Sequence, residues 1–186
     1  MLGKKVFFIF AFILIIIRPL SAQRTTIEVS FGKYNIRDIR FERVYKESGP
    51  ILGIAVSVSP VSNFDIWLGV KGFYKSGQLT FTKEETELIL VPISAGIKYY
   101  RQVGLFKPYL GGGIDYYLYY EQTPIGDTFD YTTGLHFQVG SYFHVIKSLP
   151  FWLNLNIKYT KAETEENNNK IDLGGLEYGI GLAIIF

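Results

Sequence analysis

The sequence predicts an all-β chain: an eight-stranded antiparallel transmembrane β-barrel of up-and-down topology, with short periplasmic turns and long external loops. Three observations carry that expectation. Side chains alternate with period two through eight segments, large apolar groups on one parity and small or polar groups on the other. That is the pattern of a strand with two unlike faces. The connections between the segments run long, short, long, short, long, short, long, as in a barrel whose two termini share one side of a membrane. Finally, 17% of the chain is Phe, Trp or Tyr, yet no second apolar run approaches the length of a spanning helix.

The strands follow in order. The first, Thr25 to Asn35, sets Ile27, Val29 and Phe31 against Glu28, Ser30, Gly32 and Tyr34. After a polar stretch from Ile36 to Pro50, the second (Ile51 to Ser59) alternates Leu52, Ile54, Val56 and Val58 with glycine, alanine and serine. Pro60 to Asn63 reads as a tight turn. The third strand, Phe64 to Tyr74, separates Ile66, Leu68 and Val70 from Trp67, Gly69, Lys71 and Phe73. Lys75 to Glu87 is the second long connection, with Gln78 to Thr82 placed to extend the hairpin as a rim. Strand four is Leu88 to Tyr100, followed by a short link and strand five, Pro108 to Tyr120. Glu121 to Thr133 is the third long connection; strand six is Gly134 to Ile146 and ends at a turn, Lys147 to Pro150. Strand seven, Phe151 to Thr160, opposes Leu153, Leu155 and Ile157 to Asn154, Asn156 and Lys158. The solvated loop Lys161 to Lys170 leads into the last strand, which ends at Phe186. Pro92 is the misfit, because proline inside a closed ladder removes a hydrogen bond and implies a bulge or register fault.

Ahead of these strands, Lys4 and Lys5 precede the apolar run Val6 to Ile17 and the small-residue exit Leu20-Ser21-Ala22. This is the layout of a secretory signal peptide over residues 1–22, leaving a barrel domain at 23–186. The run falls short of the ~20 residues that cross a bilayer. The chain has no cysteine, which excludes disulfides and a lipidated N-terminal cysteine. Lys4, Lys5 and Arg18 fall in the leader, so the remaining basic residues nearly balance the 17 acidic ones and give no electrostatic case for nucleic acid.

The closing residues Glu177, Gly179, Leu182, Ile184 and Phe186 resemble the C-terminal insertion signal of bacterial outer-membrane barrels. The segments ELILVPISAGIKYY (87–100), KPYLGGGIDYY (107–117) and GFYKSGQLTF (72–81) resemble the outer-membrane β-barrel domain family, small OmpA-like barrels of porin-family type. The resemblance implies location and fold: a Gram-negative outer membrane, outer-membrane lipid around the belt, periplasmic chaperones and the barrel-assembly machinery as partners, and a monomer. It implies no activity.

The polar parity is expected to face inward, and it carries Glu28, Lys71, Lys98, Asp115, Lys158 and Glu177, three of each sign. Buried charges need partners, so this set reads as an ion-pair network in a lumen that eight strands leave barely wide enough for side chains. A soluble lipocalin-like barrel would instead place its bulk inside. His136 and His144 share a parity but stand about 27 Å apart along a strand, too far to chelate one metal. Neither has a nearby serine in a motif of lipid-modifying barrels, and Gly111-Gly112-Gly113 is followed by no helix to hold a phosphate. The expectation is a non-enzymatic barrel without metal or cofactor, structural or acting through its loops. The alternative is a small-solute channel or lipid-modifying enzyme on the same scaffold.

Overall fold

The computed structural model describes residues 24–45, 48–79, 83–124, 126–146, 148–166 and 169–186. The expected leader, residues 1–22, lies outside them. The elements are β1 (Thr25–Ile36), α1 (Ile39–Tyr45), β2 (Ser48–Val61), β3 (Phe64–Gln78), β4 (Glu85–Tyr100), β5 (Phe106–Thr123), β6 (Gly126–Phe143), β7 (Phe151–Glu166), β8 (Asn169–Asp172) and β9 (Gly175–Ile185). Strands β1 to β6 pair antiparallel in sequence order, β6 pairs β7, β7 pairs β9, and β9 returns to β1. These eight strands close a cylinder with no free edge, which removes the hazard of unpaired backbone. The four-residue β8 pairs only with the end of β7, Glu163 to Glu166.

Register turns the sequence parity into two surfaces. On the outer one, Val29 lies between Ile54 of β2 and Leu182 of β9, and Leu155 faces Ile180. Leu52, Leu68, Leu110, Ile114 and Leu182 are all more than half exposed. A surface so uniformly apolar would be insoluble in water and is at equilibrium in hydrocarbon. No helix among the described residues is long and apolar enough to cross a membrane; the strands do so. On the inner surface Trp67, Tyr100, Tyr109, Tyr117 and Tyr142 are buried beside the charged groups.

At one end the connections are short. Asn63 takes a left-handed φ of 70° in the β2–β3 turn, a conformation asparagine tolerates better than most residues. The register shift between Val58 and Val61 brackets Pro60, whose missing N–H a bulge accommodates.

The other end differs from the sequence expectation. Strands β3 to β7 run past the apolar belt, and the third long connection is in fact a continuous hairpin laddered up to Thr123 and Gly126. Beyond the membrane both faces of a strand meet water, so the apolar alternation vanishes while Thr, Tyr and Phe keep their preference for extended backbone. The first long connection contains α1, which the polar composition of residues 36–50 concealed. Gly77 admits this helix, since a Cβ there would strike the Val44 carbonyl and the Tyr45 ring. Strand β6 ends at Phe143 instead of Ile146, which lengthens the following turn.

Pro92 causes no register fault. It pairs with Tyr117 on β5, and the β3–β4 register is the same before and after it. What it does is interrupt the β3–β4 ladder, leaving Lys71 and Gly72 unpaired with Val91 and Pro92. The prolyl nitrogen has no hydrogen to give on that side.

Candidate functional site

The inward-facing groups form tiers along the barrel axis. Nearest the short turns, Asp65 accepts from Ser59 Oγ at 2.5 Å and lies 3.6 Å from the Lys107 ammonium. That ammonium also sits 3.5 Å over the Tyr100 ring, a cation–π contact that offsets its desolvation. The next tier centres on Glu28, which accepts from the Tyr142 hydroxyl at 2.8 Å and the Asn154 amide at 2.7 Å. Lys98 reaches Glu28 only through that tyrosine, donating to its oxygen at 3.3 Å.

Asp115 is the hub of the middle tier. One carboxylate oxygen accepts from Lys158 Nζ and from His136 Nδ1, each at 2.9 Å; the other accepts from Thr160 at 3.1 Å. Lys158 also donates to Ser94 at 2.9 Å. Asp115 is 1% exposed and Lys158 3%, so solvent screens this pair little, and each charge is satisfied by hydrogen bonds as well as by its partner. Lys71 and Glu177 form a further ion pair across the lumen.

Toward the long connections the interior turns apolar. Tyr34, Ile36, Ile51, Phe73, Leu88, Leu90, Tyr117 and Tyr119 pack as one cluster with Phe41 and Tyr45 of α1. Phe41 stacks on Tyr45 with ring centroids 5.0 Å apart. The Tyr45 hydroxyl donates to Glu121 at 2.5 Å and meets Thr86 Oγ1 at 2.9 Å. Burial first, then the Glu121 carboxylate, pushes that hydroxyl above the ordinary tyrosine range.

All six charged residues named from the sequence therefore line the interior, where Lys158 meets Asp115 and Lys71 meets Glu177; Lys98 and Glu28 are bridged by Tyr142. The sequence reading missed Asp65, Lys107 and the part played by His136. Parity held the signal for the first two, since Asp65 shares the inward phase of Trp67 and Lys107 that of Tyr109. For His136 the signal lay in register, which faces it with Gly113, two residues from Asp115. His144 lies beyond β6, stacked 4.5 Å from Trp152, with Nε2 donating to the Leu149 carbonyl. Among the described residues no group of three His, Cys, Asp or Glu side chains is placed to hold a metal.

Of the C-terminal residues, Glu177 and Gly179 point inward, Leu182 and Ile184 outward, and Phe186 is 69% exposed at the barrel's end. Its N–H donates to the Thr25 carbonyl at 2.9 Å, which joins the last residue to the first strand. A concavity of about 900 Å³ lies on the outward face among Phe31, Val139, Leu155, Ile157 and Ile180.

The family profile described as outer membrane protein beta-barrel domain matches residues 8–186. Among solved structures, Neisserial surface protein A is similar at 16% identity and a TM-score of 0.64, covering 89% of this chain and 98% of that one. OprG from Pseudomonas aeruginosa is similar at 15% identity and a TM-score of 0.69, covering 89% and 96%. Ail, the attachment invasion locus protein of Yersinia pestis, solved with the heparin analogue sucrose octasulfate, is similar at 10% identity and a TM-score of 0.59, covering 88% and 99%. At such identities the likeness is one of fold. No curated protein matches the sequence significantly.

Proposed function

The chain belongs to the outer membrane protein beta-barrel domain family, and on that premise we propose a non-enzymatic outer-membrane barrel whose lumen is closed by its own side chains and whose role is structural or is exercised by the loop end at the cell surface. One observation carries this reading. The apolar cluster roofed by α1 lies directly above tiers of paired charges, so a solute moving along the axis meets first a hydrophobic barrier and then a cross-linked one. Opening either would expose apolar surface or separate buried ions, and both are costly.

The remaining parts of the reading follow from location. Residues 1–22 direct export and 23–186 form the barrel domain. Outer-membrane lipid surrounds the apolar belt, and periplasmic chaperones hold the chain before insertion. The barrel-assembly machinery reads Phe186 with Leu182 and Ile184 behind it. A cylinder with no free edge gives no reason to associate, so the working unit is a monomer.

Planar-bilayer recording tests the closed lumen. The wild type should show no steady conductance. A steady conductance that Lys158→Met alters would overturn the reading, because the network would then be a gate.

The small-solute channel has one observation in its favour, the interrupted β3–β4 ladder beside Lys71, and liposome swelling with small polar solutes would detect it. For a lipid-modifying enzyme, His136 with Asp115 has the form of a base and its orienter. The outward nitrogen Nε2, however, has no hydrogen-bond partner, so no hydroxyl stands where a nucleophile is required.

A further inference from the structure

We propose that the outer wall of the barrel carries a binding site for a phosphorylated lipid of the outer leaflet, with its phosphate monoester held by Lys33 and Arg37 and an acyl chain laid in the groove below them. The inference rests on the reading that the long connections face the cell exterior, and not on whether the lumen is closed.

Two cations without carboxylates are the first ground. Lys33 and Arg37 share the outward parity of Val29 and Phe31, and both are exposed. Among the described residues neither lies within ion-pair distance of a carboxylate, whereas Lys161 on β7 is paired with Glu163. Asp38 and Asp172 flank Arg37 in sequence and across the ladder, but both accept from backbone N–H groups. Asp38 takes those of Phe41 and Asp172, and Asp172 takes that of Gly174. Glu177 is turned inward to Lys71.

Depth is the second. At ~3.3 Å per residue and a tilt of ~45°, Lys33 stands about 19 Å above Thr25 and Arg37 about 28 Å. The apolar band of such barrels is ~25 Å tall, so the two cations bracket its outer border, where lipid headgroups begin. Arg37 is held against this wall, its guanidinium 5.3 Å from the centroid of the exposed Tyr159 ring on β7.

The groove is the third. The outward concavity of about 900 Å³ has Lys33 in its lining. One bank is Phe31, Ile180 and Leu155, in register across β1, β9 and β7; the other is Lys33, Tyr178 and Ile157. Between the banks the floor is the backbone of Gly32, Gly179 and Asn156, whose parity turns inward. A lipid lying here has its chain against fixed apolar walls and its headgroup beside the ammonium. The pair of cations also selects the headgroup. A phosphate monoester carries nearly two negative charges at pH 7 and three acceptor oxygens, which suit a guanidinium and an ammonium together. A phosphodiester offers one charge.

Native mass spectrometry of the folded protein released from detergent micelles tests the site, with bisphosphorylated lipid A as the probe. Charge alone draws Lys and Arg to any anionic surface, so saturation and selectivity decide. The site requires saturation at one lipid A per barrel. It also requires a roughly tenfold preference over phosphatidylglycerol, a phosphodiester, and over lipid A stripped of phosphate. Lys33→Gln and Arg37→Gln should each weaken binding roughly tenfold, the effect of one lost charge-assisted hydrogen bond. Excess inorganic phosphate should not displace the lipid, because the groove has no hold on it. Heat-modified gel mobility reports that each variant is folded; should one not fold, the other decides. Retention without saturation, equal binding of phosphatidylglycerol or of the stripped lipid, or an affinity unmoved in a folded variant means ordinary belt lipid and overturns the proposal. Displacement by inorganic phosphate overturns the lipid as the occupant. Binding in micelles depends on neither conductance nor orientation, so protease treatment of whole cells reads separately which end faces outward.

Discussion

The two halves of the barrel interior solve one packing problem by opposite chemistry. Toward the short turns, Asp65, Glu28, Asp115 and Glu177 are matched by Lys107, Lys98, Lys158 and Lys71 in hydrogen-bonded tiers. Toward the long connections, Phe73, Leu90, Tyr34 and α1 fill the space with apolar and aromatic surface. The difference teaches where each kind of interior is tolerable. An apolar core tolerates imperfect geometry because dispersion and burial are non-directional. An ion network inside a low-dielectric wall holds only if every member is satisfied. The polar half is therefore the less forgiving one.

Breaking the hub should have the largest effect. Asp115→Leu removes the acceptor of Lys158, His136 and Thr160 and leaves a buried ammonium uncompensated, at a cost of about 3–5 kcal/mol. Urea unfolding in micelles would read it as a lowered midpoint. A loss below ~1 kcal/mol would mean that water has access to the hub.

In the apolar half the matching experiment is Phe73→Ala. The side chain is 1% exposed and touches both Tyr34 and Phe41 rings, so about 3 kcal/mol should be lost to transfer and cavity. A cycle with Asp115→Leu should add within ~0.5 kcal/mol if the two halves are independent. Strong coupling would show them to be one cooperative unit.

Smaller again is Tyr45→Phe, which unties α1 from Glu121 and Thr86 and should cost roughly 1–2 kcal/mol, read as faster proteolysis near residues 36–48. The sign with pH follows from the raised hydroxyl. Its contribution is complete below pH ~10, the ordinary tyrosine value, and is lost as pH climbs through the higher folded value. In wild type this proteolysis should therefore accelerate in strong alkali, and the Tyr45→Phe variant should lack that component. The smallest effect belongs to Lys161→Ala. Its partner Glu163 is 3.0 Å away, but both side chains are well exposed, so water screens the pair and the urea midpoint should stay where it is. A larger shift would give the barrel's exterior a structural share that neither half of the interior accounts for.

Much of this was legible beforehand. Period two, loop lengths and the aromatic terminus determined the strand count, the pairing order and which face of each strand meets lipid. A membrane imposes that pattern on every residue of the belt: outward must be apolar, and inward need not be. Hence Ile27, Leu68 and Leu182 could be placed outside, and Glu28, Lys158 and Glu177 inside, from parity alone. Above the belt the constraint ends. There the sequence concealed α1 and the Thr123–Gly126 hairpin, because polar composition is common to loop, helix and rim. Only the tertiary structure decided who pairs with whom. Asp115 takes Lys158 and His136 because strands β5, β6 and β7 are adjacent with one particular stagger, and Lys98, though its stagger sets it between Gly111 and Asp65, donates to Tyr142 while Asp65 pairs with Lys107. Side-chain parity is set locally, by the geometry of one strand, whereas partners depend on the shear of the closed cylinder, which is a property of all eight strands at once.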